Sequence, residues 1–422
     1  MLFVKAFDKS RKYRVGFDLC DDYSQISFAE AGKEVQTFEP ESGSGSYNIP
    51  TLLYYIPGTD TWHTGRDAAM YSSHTEGTLI THLIEEAAAD NTVTVGEKAL
   101  DPVKLLTLFV RSCLEKLAYV VPTQEIGVLM FTLRTLDQRS IEMMEKVMED
   151  LPVPRERIFI EEHDSSFYHY MLEQDPMLRD RGALLCEYKG YDRMQLSRLS
   201  FNRRTTPVVS SVRSTEYGSL PYTSPLDMDM SFLRILQQEM AKESFSSAHL
   251  IGEGFGREWM KDSIQLLCRN CRVFQGDNLY SKGAAVSASY KADPPQIAEE
   301  YFFLSESKLK SNIGLQAIRN GEEGYFPLLD AGCNWYEAQH TEDFILEGTN
   351  ELQLIMMPLS GGRASRYTIR LDELPVREDR MTRIRLSLSL KTAGQLQVRI
   401  RDLGFGEIFP ASGLRWEKGI SL

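Results

Sequence analysis

Residues 14–27, Arg14-Val-Gly-Phe-Asp18-Leu-Cys20-Asp21-Asp22-Tyr23-Ser-Gln-Ile-Ser27, constrain this chain more than any other stretch. Val15 to Phe17 read as a short buried strand. Asp18 to Asp22 make a tight polar turn, and alternation resumes from Tyr23 to Phe28, so the stretch is a hairpin. An aspartate that leaves a buried strand into a turn is one way to hold a hydrated metal ion beside a phosphate chain. A surface hairpin with a polar tip is the plainer account of the same residues.

The logic recurs at Ala183-Leu-Leu-Cys-Glu187, a strand that ends on an acid, turns at Lys189-Gly190-Tyr191-Asp192 and runs back from Met194 to Phe201. The chain is therefore expected to contain two similar halves facing a common cleft. Strand and helix alternate between and after these hairpins. Gly127-Val-Leu-Met-Phe131 and Arg157-Ile-Phe-Ile160 are strands, residues 102–119 and the stretch opened by Asp137 are helices, and Glu161-Glu162-His163-Asp164 leads into another helix. This alternation indicates an α/β architecture. Residues 202–226 read as loop, 228–243 as helix, Ala248 to Ile251 as strand, and Arg257 to Cys268 as helix. Gly252-Glu-Gly254-Phe-Gly256 is a glycine turn between strand and helix, suited either to anion approach or to tight chain reversal. Residues 278–288 form a small-residue helix built for close packing.

The composition changes at Ala292. Residues 293–312 read as an apolar linker carrying Tyr301-Phe-Phe-Leu304, and residues 313–422 show alternating strands with turns at Asn320-Gly321, Gly361-Gly362 and Ala393-Gly394. Such a pattern predicts a separate β-sandwich domain.

A chain of 422 residues has room for such a pair of domains. Its net charge of -13 argues against nucleic acid or an anionic membrane as the main partner. The N-terminal residues lack a long apolar core and a small-residue cleavage site, and no apolar run approaches a membrane span, so cytoplasmic residence is expected. The six cysteines are scattered, which fits reduced thiols, and the lone Cys268-Arg-Asn-Cys271 pair cannot complete a four-ligand zinc site.

The order of these pieces resembles the seventy-kilodalton heat-shock chaperones of the actin-like ATPase superfamily, from Arg14 to about Glu407. Gly16-Phe-Asp-Leu-Cys-Asp-Asp-Tyr-Ser is similar to the first phosphate loop, Gly-Ile-Asp-Leu-Gly-Thr-Thr-Tyr-Ser. Leu250-Ile-Gly-Glu-Gly-Phe-Gly256 is similar to the adenosine loop, and Tyr280-Ser-Lys-Gly283-Ala-Ala285 to Ala-Tyr-Gly-Ala-Ala. The resemblance implies a two-lobed actin-like (ribonuclease-H-like) domain over residues 1–292, then the linker, then a peptide-binding β-sandwich without a helical lid. It implies ATP or ADP with Mg²⁺ as cofactors. Asp18, Leu19, Cys20, Asp21, Asp22, Tyr23, Gly190, Gly252, Gly254 and Gly256 would hold the nucleotide. Asp18 and Glu187 would hold the metal, Glu162 and Glu187 would be catalytic, and Tyr325, Phe326, Leu328, Leu352 and Leu354 would line a peptide cleft.

The departures bear on chemistry more than on fold. Cys20 replaces the loop glycine, Asp21-Asp22 replace two threonines, and the second loop keeps one acid and one glycine, Glu187 and Gly190. No lysine lies near Thr81 to Ile84, where the family's catalytic lysine falls, and the span from Asp229 to His249 is too short for the subdomain that covers adenine. Three functions fit. One is a chaperone-like binder of unfolded peptide or of a protein partner with weak or absent ATP hydrolysis. Another is a scaffold that keeps the shape alone. The third is a Mg²⁺-dependent ATPase with an unusual acidic phosphate loop, using Asp18, Glu162 and Glu187 with Asp21 or Asp22 added.

Overall fold

The computed structural model describes residues 11–422 apart from Ser42, Gly96, Glu97, Tyr191, Asp192, Tyr222, Thr223, Arg257 and Ser360. Tyr191 and Asp192 of the second turn, and the helix start expected at Arg257, thus lie outside the described residues. The chain divides into two compact units, Met1–Phe303 and Leu304–Leu422.

The first unit holds two six-stranded sheets. In the first, Tyr13–Asp18 pairs antiparallel with Tyr23–Glu30, which continues to the short Gln36–Thr37. On its other side Tyr13–Asp18 runs parallel to Ile126–Leu133, which runs parallel to Ile158–Glu162. The second sheet repeats this order. Ala183–Lys189, Arg193–Asn202 and Val208–Gly218 form the antiparallel meander, and Ser247–Ile251 and Arg272–Gln275 add in parallel on the other side. Ile126–Leu133 is buried at every position, as a parallel strand covered on both faces must be.

The helix Leu279–Ala292 binds this unit together by close approach. A Cβ on Gly16 would lie 2.2 Å from the Ala285 nitrogen, and one on Gly283 would lie 1.9 Å from the Ser166 carbonyl oxygen. Only glycine lets the helix lie on the first strand and on the helix His163–Leu172 at these points. Ser281 Oγ and Ser27 Oγ are 2.8 Å apart across the same contact. A smaller three-stranded sheet, Thr61–Thr64, Leu53–Ile56 and Thr78–Ile80, with the helix Gly65–Ser72, is inserted after the first meander.

Three segments differ from expectation. Val208–Gly218, expected as loop, is a strand; its inward positions include Ser210, so the apolar alternation that marks a strand is masked. Tyr301–Phe303, expected in the linker, pairs in parallel with Val208–Ser210 and belongs to the second sheet. The helix expected through Cys268 begins at Asp262 and ends at Asn270. Asp229 sets that start, because its carboxylate accepts from Asp262 N at 2.7 Å and from Ser263 N at 3.0 Å.

The second unit has two four-stranded antiparallel sheets. One is Glu322–Leu329, Ser311–Arg319, Glu351–Pro358 and Ser365–Arg370; the other is Gln339–Leu346, Thr382–Thr392, Gln395–Asp402 and Arg415–Ser421. Ile384, Leu386, Leu388, Leu396, Val398 and Ile400 are buried at alternate positions, the period of a strand with one covered face. Asp402 ties the loops below them. It accepts a bidentate pair from Arg377 at 2.8 and 2.7 Å and backbone N–H groups from Gly404 and Ser412.

Candidate functional site

The strand register of the first unit brings chemistry to one place. Asp18 closes its strand, pairs in register with Thr132, and Thr132 with Glu161. His163, which opens the helix after that third strand, therefore comes beside Asp18. The His163 Nε2 lies 2.8 Å from Asp18 Oδ1, and both residues are buried. An ionised carboxylate only accepts, so Nε2 carries the proton. Cys20 places its Sγ 3.4 Å from the same Oδ1 and 3.8 Å from the same Nε2.

The second half answers with Glu187 and, two residues on, Lys189. Glu187 Oε1 accepts from Arg134 Nη2 at 2.6 Å, Oε2 accepts from the Tyr280 hydroxyl at 2.8 Å, and Lys189 Nζ lies 3.5 Å away. Lys189 Nζ reaches across to within 3.9 Å of Cys20 Sγ and stands 5.3 Å over the Tyr23 ring. Tyr280 stacks on the His163 ring with centroids 3.8 Å apart, so one aromatic side chain links the two halves.

Electrostatics make this cluster self-sufficient. Burial works against ionised Glu187, but Lys189, Arg134, His163 and the Tyr280 hydroxyl outweigh it and hold its carboxyl down at about 2. Burial likewise opposes ionised Asp18, and His163 and Lys189 prevail and lower it. Burial disfavours the Lys189 ammonium, yet the ionised Glu187 and Asp18 raise it well above an ordinary lysine. Burial and then Asp18 push the Cys20 thiol up, so it stays protonated. Two carboxylates thus face two cations, Lys189 and Arg134, and the formal charges cancel.

Magnesium and a phosphate chain do not suit this arrangement. Mg²⁺ asks for an octahedron of oxygen ligands; both oxygens of Glu187 and Oδ1 of Asp18 already accept from their neighbours, and the other donors nearest Asp18 are a thiol and an imidazole, which suit a softer cation. Phosphate cradles need backbone N–H groups that point into the cleft. Leu19 N donates to Thr132 O, Gly190 N to the Glu253 carboxylate, Gly252 N to Asp277 Oδ1 and Gly256 N to Glu253 O. Gly252 and Gly254 are glycines because they pack on Tyr188: a Cβ there would lie 2.4 Å from its carbonyl oxygen and 2.2 Å from its ring.

Residues 34–306 match a family of unknown function, DUF5716, in its C-terminal part, and residues 308–422 match a domain of unknown function, DUF8552. The first of these covers more than half of the chain. The chain belongs to the DUF5716 family. No curated protein matches it. The boundary between the two matched regions falls within a few residues of the division between the compact units, Phe303 to Leu304. His163, Glu187, Lys189 and Tyr280 lie inside the DUF5716 region.

Other residues expected in the site are spread more widely in this DUF5716 chain. Asp21 Oδ1 accepts from Ile84 N at 2.8 Å and so caps the helix Leu83–Ala89. Asp22 is exposed, and its carbonyl accepts from Thr51 N. Glu162 is the residue before the helix His163–Leu172 and is half-buried. Its neighbour Glu161 points inward, accepting from Ser166, Ser165 and Ser287 at 2.6, 3.0 and 2.6 Å. In the second unit Leu328, Leu352 and Leu354 are buried core residues, with Leu354 fully enclosed. Tyr325 and Phe326 are half-buried; the Phe326 ring meets Phe344 edge-on and carries Arg319 over its face. Among the described residues no helix is long and apolar enough to cross a membrane.

His163, Lys189, Arg134 and Tyr280 were not marked by the sequence. The one available signal is positional: in sheets with parallel strands, functional side chains gather beyond the carboxyl ends of those strands, and all but Tyr280 lie at or just past such an end.

Proposed function

We propose that the first unit is a degenerate actin-like domain that neither binds Mg²⁺-ATP nor hydrolyses it, and that the chain acts as a cytoplasmic binding or assembly protein. The observation that carries this reading is Lys189. It fills the space between the two acidic strand ends and, with Arg134, cancels the charges that a metal–phosphate pair would need. Phosphoryl transfer is almost wholly positioning and charge neutralisation, and here the protein has done both with its own side chains. The repeated strand order of the two sheets supports the actin-like part, and six free cysteines fit a reducing compartment.

The second unit, with its two four-stranded sheets, supports a sandwich that binds a peptide or a specific protein. Tyr325 and Phe326 are the contact residues in this reading, since the leucines are committed to the core. The test is paired. Steady-state ATP turnover with Mg²⁺ should not rise above buffer, and a labelled extended peptide or a protein partner should lose affinity with Tyr325→Ala. Magnesium-dependent turnover that disappears in Asp18→Asn would overturn the first part. Partner binding indifferent to Tyr325 and Phe326 would overturn the second.

A further inference from the structure

We infer that Asp18, Cys20 and His163 form a binding site for a borderline-soft divalent cation of the zinc class. The inference goes beyond the proposed function and does not need it. Asp18 Oδ1, Cys20 Sγ and His163 Nε2 all lie within 4.8 Å of one another. Their separations are 2.8, 3.4 and 3.8 Å. A tetrahedral zinc ion, with Zn–S of about 2.3 Å and Zn–N and Zn–O of about 2.0 Å, holds such donors about 3.3–3.6 Å apart. The Asp18–His163 edge must open by about half an ångström and the Cys20–His163 edge close by about 0.3 Å, as the Asp18–His163 hydrogen bond is exchanged for two coordinate bonds.

The same contacts exclude a nucleophilic relay. In a Cys–His–Asp relay the acid holds one ring nitrogen and the thiol meets the other. Here both contact Nε2, and that convergence is what a cation requires. The donor set, carboxylate with thiolate and imidazole, selects Zn²⁺ or Co²⁺ over Mg²⁺. The surroundings complete the site. Tyr280 stacks on His163 and fixes its plane, and its hydroxyl is itself fixed by Glu187. The Lys189 ammonium, neutralised by Glu187, stands 3.9 Å from Sγ and can donate to a coordinated thiolate. On binding, the imidazole keeps one proton, on Nδ1, and the thiol releases its proton to solvent. Three protein ligands leave a fourth position for water.

The test is a cobalt titration of the full chain after dialysis against chelator, with no nucleotide present. One equivalent of Co²⁺ should bind and give tetrahedral d–d bands with a thiolate-to-cobalt charge-transfer band in the near ultraviolet. Cys20→Ser should erase the charge-transfer band, and His163→Gln should weaken binding roughly 100-fold or more. Cys268→Ser and Cys271→Ser, which alter the other cysteine pair, should leave the band intact. Zinc should displace the cobalt, and a large excess of Mg²⁺ should not. A band that survives in Cys20→Ser but is lost in Cys268→Ser, binding with no thiolate band, or no binding at micromolar cobalt would overturn the site. Because the experiment contains no nucleotide, its failure leaves the pseudo-ATPase reading to its own test.

Discussion

At the scale of single residues, the cleft is governed by a lysine at the end of a strand. Lys189 is nine-tenths buried and bridges Glu187 to the Asp18–Cys20 pair. Removing one partner of a buried ion pair strands the other, at a cost of about 3–5 kcal/mol. Lys189→Met should therefore lower the unfolding free energy of the first unit by about 3 kcal/mol in urea or guanidinium, and Lys189→Met with Glu187→Gln should recover part of that loss. A Lys189→Met protein as stable as wild type would mean that the cluster is not a coupled unit.

The Glu187 carboxyl also sets a pH dependence. Its folded value of about 2 lies below the ordinary 4.5. A lowered carboxyl stabilises the fold above its unfolded value, and that stability disappears as pH falls from about 4.5 toward 2. Denaturation midpoints measured between pH 5 and pH 3 should fall in the wild type and fall less steeply in Glu187→Gln. Equal slopes would contradict the assignment. The sequence marked Asp18 and Glu187, because each is an acid at the end of an apolar run. It did not mark Lys189 or His163, since a lysine after a strand and a histidine at a helix start are common, and only the register across more than a hundred residues makes them neighbours.

At the scale of elements, the helix Leu279–Ala292 is the piece on which the site depends, because it carries Tyr280 between the halves. Its fit rests on contacts too close for a Cβ. Gly283→Ala should destabilise by about 1–3 kcal/mol or more, since the Ser166 carbonyl must move. Gly276→Ala, with open space around it, should stay within about 0.5 kcal/mol. Thermal melts of the two variants decide this, and similar melts would contradict the packing described. Small residues at 283–288 announced close packing in the sequence but not its partner. Conversely, Val208–Gly218 escaped recognition because Ser210 takes an inward position and few of the others are apolar, while Ile126–Leu133 was legible because both of its faces are apolar.

At the scale of the whole molecule, the chain divides into two compact units between Phe303 and Leu304, and the two family matches divide within a few residues of that point. A fragment of residues 304–422 has its own buried core and its own buried Arg377–Asp402 pair, so it should fold alone and melt cooperatively with a β-type circular dichroism spectrum. An unfolded fragment would show that the division is one of contacts only. The change from alternating α/β to all-β was visible in the sequence; the last strand of the second sheet, inside the expected linker, was not, because three residues are too short to carry a period.

The central claim is that the cleft of the first unit is closed to Mg²⁺-nucleotide by its own charges and its own hydrogen-bonded glycine loops. Calorimetric titration of the purified chain with ATP and with ADP, each with and without Mg²⁺, tests it most directly. No detectable heat of binding is expected under any of the four conditions. Saturable, magnesium-dependent binding at micromolar nucleotide would contradict it and would return Asp18 and Glu187 to the role of metal ligands in a working ATPase.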